Sequence, residues 1–110
     1  MRILVVDLAM VNNKTTYIHI VRTVGDRFIE SVRYSLGVGD IFVTSEQIVQ
    51  VCEIEEPDVV QIDNAGAGRE VIEGIHRLAT ARGLDLCIEE TRTTRYDLRQ
   101  ARKIPLDPRA

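Results

Sequence analysis

Apolar residues recur along the first ninety positions with two different periods, and the switches between them lay out the elements of one domain. Ile3-Leu4-Val5-Val6 and Val59-Val60-Gln61-Ile62 are short, nearly continuous apolar runs, the pattern of strands covered on both faces of a buried sheet. Thr15 to Thr23 is rich in β-branched and aromatic residues with partial alternation. Arg27 to Leu36 mixes Phe28, Ser31 and Arg33 with Ile29, Val32 and Tyr34, and both stretches read as strands. The Asn12-Asn13-Lys14 turn and the Val24-Gly25-Asp26 connection are too short for a crossover. The first three strands are therefore expected to form an antiparallel meander.

The period then changes. Gly37-Val38-Gly39-Asp40 interrupts the strand pattern, and Thr44 followed three positions later by Gln47 reads as a capping box opening a helix. Ile48, Val51, Cys52 and Ile54 give that helix its apolar stripe, and Pro57 is its expected end. Asp58 to Ile62 follows as a fourth strand, reached by a helical crossover and so expected to run parallel to the first. Beyond Asp63-Asn64-Ala65-Gly66-Ala67-Gly68, the spacing of Val71, Ile72, Ile75, Leu78 and Ala79 predicts a second helix to about Arg82, with Gly83 as its stop. Leu84 to Glu89 supplies a fifth strand. Residues 93–110, with Pro105 and Pro108, read as a short helix or arm beyond a core of residues 1–92. There is no internal repeat or low-complexity linker. The expected fold is a mixed α/β sheet of five strands, three antiparallel and then two parallel, with helices packed on it.

A chain of 110 residues that is 45% hydrophobic suffices for one core and is too short for two. No run approaches the roughly 18 apolar residues of a membrane span, and Met1-Arg2 leads straight into a strand, so a soluble cytoplasmic protein is expected. Cys52 and Cys87 lack the spacing of a zinc or redox site and read as small buried residues in a reducing compartment. The net charge of −3 conceals an asymmetry: residues 1–90 carry 8 basic and 15 acidic groups, residues 91–110 carry 6 and 2. In that basic tail Arg92, Arg95, Arg99, Arg102 and Lys103 are candidate contacts to a nucleic-acid backbone, against the plainer reading of a solvated helix.

The chemistry centres on Asp7 and Asp63, each closing an apolar run. Singly, a carboxylate after a strand begins a turn. As a pair on neighbouring strands about 4.8 Å apart, they would face each other across a gap suited to a divalent cation, at the strand ends where ligands of α/β sheets collect. Glu89, at the end of the fifth strand, is either a further carboxylate for this cluster or a plain edge charge. Gly66-Ala67-Gly68 is a weak phosphate-cradle signal and a stronger signal for a tight turn or close packing; without a third glycine, nucleotide binding ranks below metal binding. His19 and His76 are expected to be surface or boundary residues, since no second histidine or cysteine accompanies either. Glu53, Glu55, Glu56 and Asp58 read as a solvated helix end. No serine, cysteine or lysine stands in a recognisable nucleophile setting.

The order of elements matches the first five strands of the ribonuclease H-like fold. Val5-Val6-Asp7-Leu8-Ala9, the Thr-Thr-led second strand, Gly25-Asp26-Arg27-Phe28, Tyr34-Ser35-Leu36-Gly37 and above all the stretch from Pro57 through Asp63 and Gly66-Ala67-Gly68 to Ile72 resemble the nuclease domain of phage terminase large subunits. Holliday-junction resolvases of the same superfamily have a related strand ending in an acid. The resemblance, over roughly residues 1–90, implies a nuclease that hydrolyses nucleic-acid phosphodiesters, most naturally DNA, with Mg²⁺ or Mn²⁺ held by Asp7 and Asp63. It also implies a third acid from a C-terminal segment. No matching acidic pair is present, and Asp97 is the candidate substitute, with Asp107 weaker. Arg69 is placed either to contact a scissile phosphate or, more simply, to pair with Glu73. Two other readings stay open: a non-catalytic interaction module of a phage or prophage assembly, and a binder of a small phosphate or nucleotide through the Gly66–Gly68 turn.

Overall fold

In a computed structural model of the chain, residues 1–8, 16–36, 39–64 and 66–91 are described. They form β1 (Arg2–Asp7), β2 (Thr16–Val24), β3 (Arg27–Leu36), α1 (Ile41–Glu55), β4 (Val59–Asp63), α2 (Gly68–Arg82) and β5 (Ile88–Thr91). Gly25 at φ 60° allows the two-residue reversal that pairs Val24 with Arg27, so β2 and β3 form a hairpin. The strands make one sheet in the order β3-β2-β1-β4-β5. Pairs β1–β2 and β2–β3 are antiparallel, and pairs β1–β4 and β4–β5 are parallel. This is the arrangement that the succession of periods predicts.

Alternation along the strands divides the sheet into two faces. Leu4 and Val6 of β1, Ile18 and Ile20 of β2, and Val60 and Ile62 of β4 share a core with Ile48, Val49 and Cys52 of α1 and Val71, Ile72 and Ile75 of α2. Both helices lie on this one face because the crossovers β3-α1-β4 and β4-α2-β5 share a hand and advance across the sheet in the same direction. The helices cross closely where small residues meet: Ser45 Oγ donates to the Ile41 carbonyl at 2.8 Å and lies 3.3 Å from that of Val71, and a Cβ on Gly74 would come within 2.5 Å of the same oxygen. On the opposite face Ile3, Val5 and Val21 make a smaller apolar cluster.

Several local expectations are corrected. Helix α1 begins at Ile41, with Asp40 as its N-cap accepting from Val43 N at 2.8 Å. Thr44 is buried within the helix and does not cap it, because the Asp40 side chain already meets an N–H of the first turn, that of Val43. The helix ends on Glu56 in the left-handed region (φ 49°), whose N–H returns to the Cys52 carbonyl ahead of Pro57. Ile54 is exposed, far round the helix from Ile48, and leaves the apolar stripe. Strand β5 starts only at Ile88, since the Gly83 cap spends the next residues closing α2, with Leu84 N bonded to the Ala79 carbonyl. Cys87 thus precedes the strand and is exposed, not buried. Among the described residues, no helix is long and apolar enough to cross a membrane.

Candidate metal and nucleic-acid site

The parallel register pairs Ile3 with Val59, Leu4 with Val60, Val5 with Gln61 and Val6 with Ile62. One step further, the terminal residues of the two strands, Asp7 and Asp63, stand level on adjacent strands, about 5 Å apart along the sheet. Because Val6 and Ile62 point into the helix-covered core, both aspartates belong to the opposite face. Each is half-buried at the carboxyl end of its strand. The sequence-based pairing of these two residues therefore holds in space.

Helix α2 begins directly beside Asp63. A Cβ added to Gly68 would sit 1.8 Å from the Asp63 carbonyl oxygen, so only glycine lets the first turn lie against that strand end. Gly66, at φ 55°, makes the reversal that leads there. The two glycines thus serve a tight turn and close packing, the stronger of the two readings weighed for them. Arg69 and Glu73 are both exposed, and among the described residues they form no ion pair with each other.

Glu89 lies on the same face, paired in register with Gln61 and accepting from its Nε2 at 3.1 Å. That places it two register pairs below Asp63, which is level with Thr91. Among the described residues, no three His, Cys, Asp or Glu side chains converge closely enough to hold a metal ion. Among the described residues, the strand ends offer the two carboxylates of Asp7 and Asp63. This fits Mg²⁺ or Mn²⁺, hard cations that keep several waters and bind through one or two carboxylates together with substrate phosphates. Asp97 and the basic residues Arg92, Arg95, Arg99, Arg102 and Lys103 lie outside the described residues, as does the proposed arm 93–110.

Two expectations about polar residues are overturned. His19 is 2% exposed, not a surface residue, and its Nδ1 is hydrogen-bonded to the equally buried Glu30. Arg33 donates to the same carboxylate through Nε at 3.2 Å and Nη2 at 3.0 Å. Burial pushes the Glu30 carboxyl up, but the Arg33 and His19 hydrogen bonds outweigh this and hold it below the usual glutamate range. A β-bulge between Ile20 and Val21 brings the group together: Val21 faces Glu30 while His19 faces Arg33, with Ser31 as the extra residue. An unbulged hairpin would set His19 against Val32, so the hairpin pattern alone hides the cluster. Nor is the acidic run at the end of α1 merely solvated. Glu55 accepts from Tyr34 at 2.7 Å and, through its carbonyl, from Arg2; Asp58 accepts from Arg2 N; Glu53 and Glu46 both hold Arg82.

The fold is similar to that of the fowlpox virus Holliday junction resolvase. The match to its crystal structure has a TM-score of 0.57 at 14% identity, over 82% of this chain and 61% of that one. The match to the fowlpox virus resolvase in complex with substrate Holliday junction DNA has a TM-score of 0.58 at 14% identity, over 82% and 60%. The chain thus spans about three fifths of the resolvase's length. At this identity the likeness concerns the fold, which is ribonuclease H-like. No protein-family model matches the chain. No curated protein matches it by sequence.

Proposed function

We propose that this chain carries a nuclease domain that hydrolyses DNA phosphodiesters in a resolvase-like or terminase-like manner, with Mg²⁺ or Mn²⁺ bound by Asp7 and Asp63. The observation that carries this reading is the level placement of two carboxylates at the ends of adjacent parallel strands, β1 and β4. Its fold context adds support, because the similar fowlpox virus protein is a resolvase with junction DNA as substrate. When bound, the cation supplies Lewis-acid stabilisation of charge on the phosphate oxygens. The chain's own part is to hold two acceptor groups in fixed register, backed by a core that does not yield. Helix α2, starting against the Asp63 carbonyl, brings its first-turn N–H groups beside the same strand end, where the helix dipole favours an anion. Arg92, Arg95, Arg99, Arg102 and Lys103 are proposed to lie along the DNA backbone, and Asp97 is proposed as the third acid.

The test is cleavage of labelled duplex and four-way junction DNA in the presence of Mn²⁺ or Mg²⁺. Parent protein is expected to cut, chelation to stop it, and Asp63→Asn to abolish it. Cleavage retained in the folded Asp63→Asn protein removes the mechanism. A second reading, a non-catalytic module docking onto a larger phage assembly, draws on the absence of a three-acid group among the described residues. Calorimetric titration with Mn²⁺ separates the two: binding that Asp63→Asn eliminates supports the nuclease, and silence of the parent supports the module.

A further inference from the structure

A face rich in carboxylates is a poor place for a polyanion unless a fixed cation lies beside them. The face that carries Asp7 and Asp63 also bears Glu30 and Glu89, and among its described strand residues Arg33 is the only lysine or arginine. The Arg33 side chain is 50% exposed, while the Glu30 side chain that it meets is 2% exposed. Nε and Nη2 both donate to that carboxylate, at 3.2 and 3.0 Å, through one edge of the guanidinium. The group is planar and rigid, so its second edge, Nη1 with the other Nη2 proton, lies clear of Glu30. No acceptor takes Nη1 among the described residues. A guanidinium already held in one geometry loses little freedom on meeting a ligand, and its free edge matches two oxygens of a phosphate.

The sheet register sets how far this cation stands from the paired aspartates. Arg33 is level with His19 of β2, and Tyr17, two residues away on the same strand, is level with Ser35 on one side and Asp7 on the other. From Arg33 to Asp7 is thus two strand spacings across the sheet and two residues along it, about 12 Å between Cα atoms. One DNA strand covers that distance in a few nucleotides. Tyr17, 38% exposed, and Ser35, also exposed, leave the stretch between them open to solvent.

We propose that Arg33, held by Glu30, binds a backbone phosphate of the DNA strand a few nucleotides from the phosphodiester at Asp7 and Asp63. This rests on the nuclease reading. The plainer role, a surface cation that only neutralises Glu30, predicts a change in stability and none in DNA binding. The test reads the affinity for labelled four-way junction DNA by fluorescence anisotropy, in chelator to keep the DNA uncut, between about 50 and 200 mM KCl. It also reads KM for Mn²⁺-dependent cleavage of the same DNA. Arg33→Gln is expected to weaken affinity about tenfold, the size of one charge-assisted hydrogen bond. The slope of log affinity against log salt should fall by about one, which a purely structural role does not move. KM should rise by a similar factor with kcat little changed, because the contact is remote from the reacting phosphate. Arg33→Lys, which keeps the charge without the fork, is expected to retain the parental slope. Ser35→Glu leaves the Glu30 group intact and sets a carboxylate on the proposed path, so KM should rise there too. An unchanged slope and KM in folded Arg33→Gln, or an unchanged KM in Ser35→Glu, overturns this proposal and leaves the nuclease reading standing. A parent that neither binds nor cuts DNA ends the nuclease reading and this proposal with it.

Discussion

The two faces of this sheet are built from the same strands and behave oppositely. Toward the helices, Leu4, Val6, Ile18, Ile20, Val60 and Ile62 are wholly buried, and the fully buried polar residues on that side, among those described, are the uncharged Thr16, Thr44 and Ser45. On the other side the intervening positions hold Asp7, His19, Glu30, Arg33, Gln61, Asp63 and Glu89 around the small Ile3, Val5 and Val21 cluster. Val6 and Asp7 are adjacent in sequence, as are Ile62 and Asp63, yet one of each pair is buried in the core while the other carries a carboxylate on the opposite face. The two-residue period of a strand makes this possible, because neighbouring side chains leave opposite sides of the same backbone. Full burial of each large aliphatic side chain contributes about 1.5–3 kcal/mol, enough for one face to support charges on the other.

The sharpest way to break this comparison is to change each face separately. Asp7→Asn should lower metal-dependent DNA cleavage by about a thousandfold or more, roughly 4 kcal/mol of barrier, with an unaltered circular dichroism spectrum; near-parental cleavage would strip the polar face of its role. Ile62→Ala, one residue from Asp63, should cost about 4 kcal/mol in urea unfolding through the cavity it leaves, and a loss under about 1 kcal/mol would mean that the helix-covered face is loosely packed.

Next in size is the buried ionic group. Glu30→Ala should cost about 2 kcal/mol, because it leaves the buried His19 Nδ1 without its acceptor while the half-exposed Arg33 returns to water. Its pH dependence carries a definite sign. The folded-state pKa of Glu30 lies below the ordinary value of 4.5, so the stabilisation is fully present above that value and is lost as pH falls through the folded-state one. The parent's advantage over Glu30→Ala in urea midpoint should therefore shrink on acidification from about pH 6 to about pH 3; an advantage that grows instead would show that Glu30 is not held as a carboxylate.

The cysteines give a smaller contrast. Burial, with Glu53 nearby, pushes the Cys52 thiol up to about 12, whereas Cys87 is exposed. At mildly alkaline pH, a thiol reagent should titrate one group rapidly in the native protein and the second only on unfolding. Two fast thiols would indicate that the α1 side of the core opens readily. Least affected should be Phe42→Ser, at a side chain 66% exposed on α1, with a change within about 0.5 kcal/mol by urea unfolding. A larger loss would mean that the outer surface of α1 contributes to the core.

Strand β3 was legible to the residue, Arg27 to Leu36, because a glycine turn precedes it and a glycine follows it. The end of α2 was equally plain from Gly83. The Asp7–Asp63 pairing was readable because helical crossovers make parallel neighbours and both acids close runs of similar length. By contrast, the start of α1 was misplaced because Thr44 and Gln47 imitate a cap that Asp40 already provides. Cys87 was misplaced because the apolar residues after Gly83 look like strand yet close the end of a helix. The His19–Glu30–Arg33 group was illegible because it depends on a one-residue bulge in the partner strand.

Local periodicity and turn chemistry thus determined the order, type and approximate extent of the elements, since these depend on residues a few positions apart. The sheet order followed from connection lengths and handedness, also written along the chain. Only the tertiary structure decided which charged groups meet, because that is a matter of register: a single inserted residue, Ser31, shifts β3 against β2 and brings Arg33 rather than Val32 opposite His19. The pairing energy of that shift is spread over whole strands and leaves no local mark in the sequence.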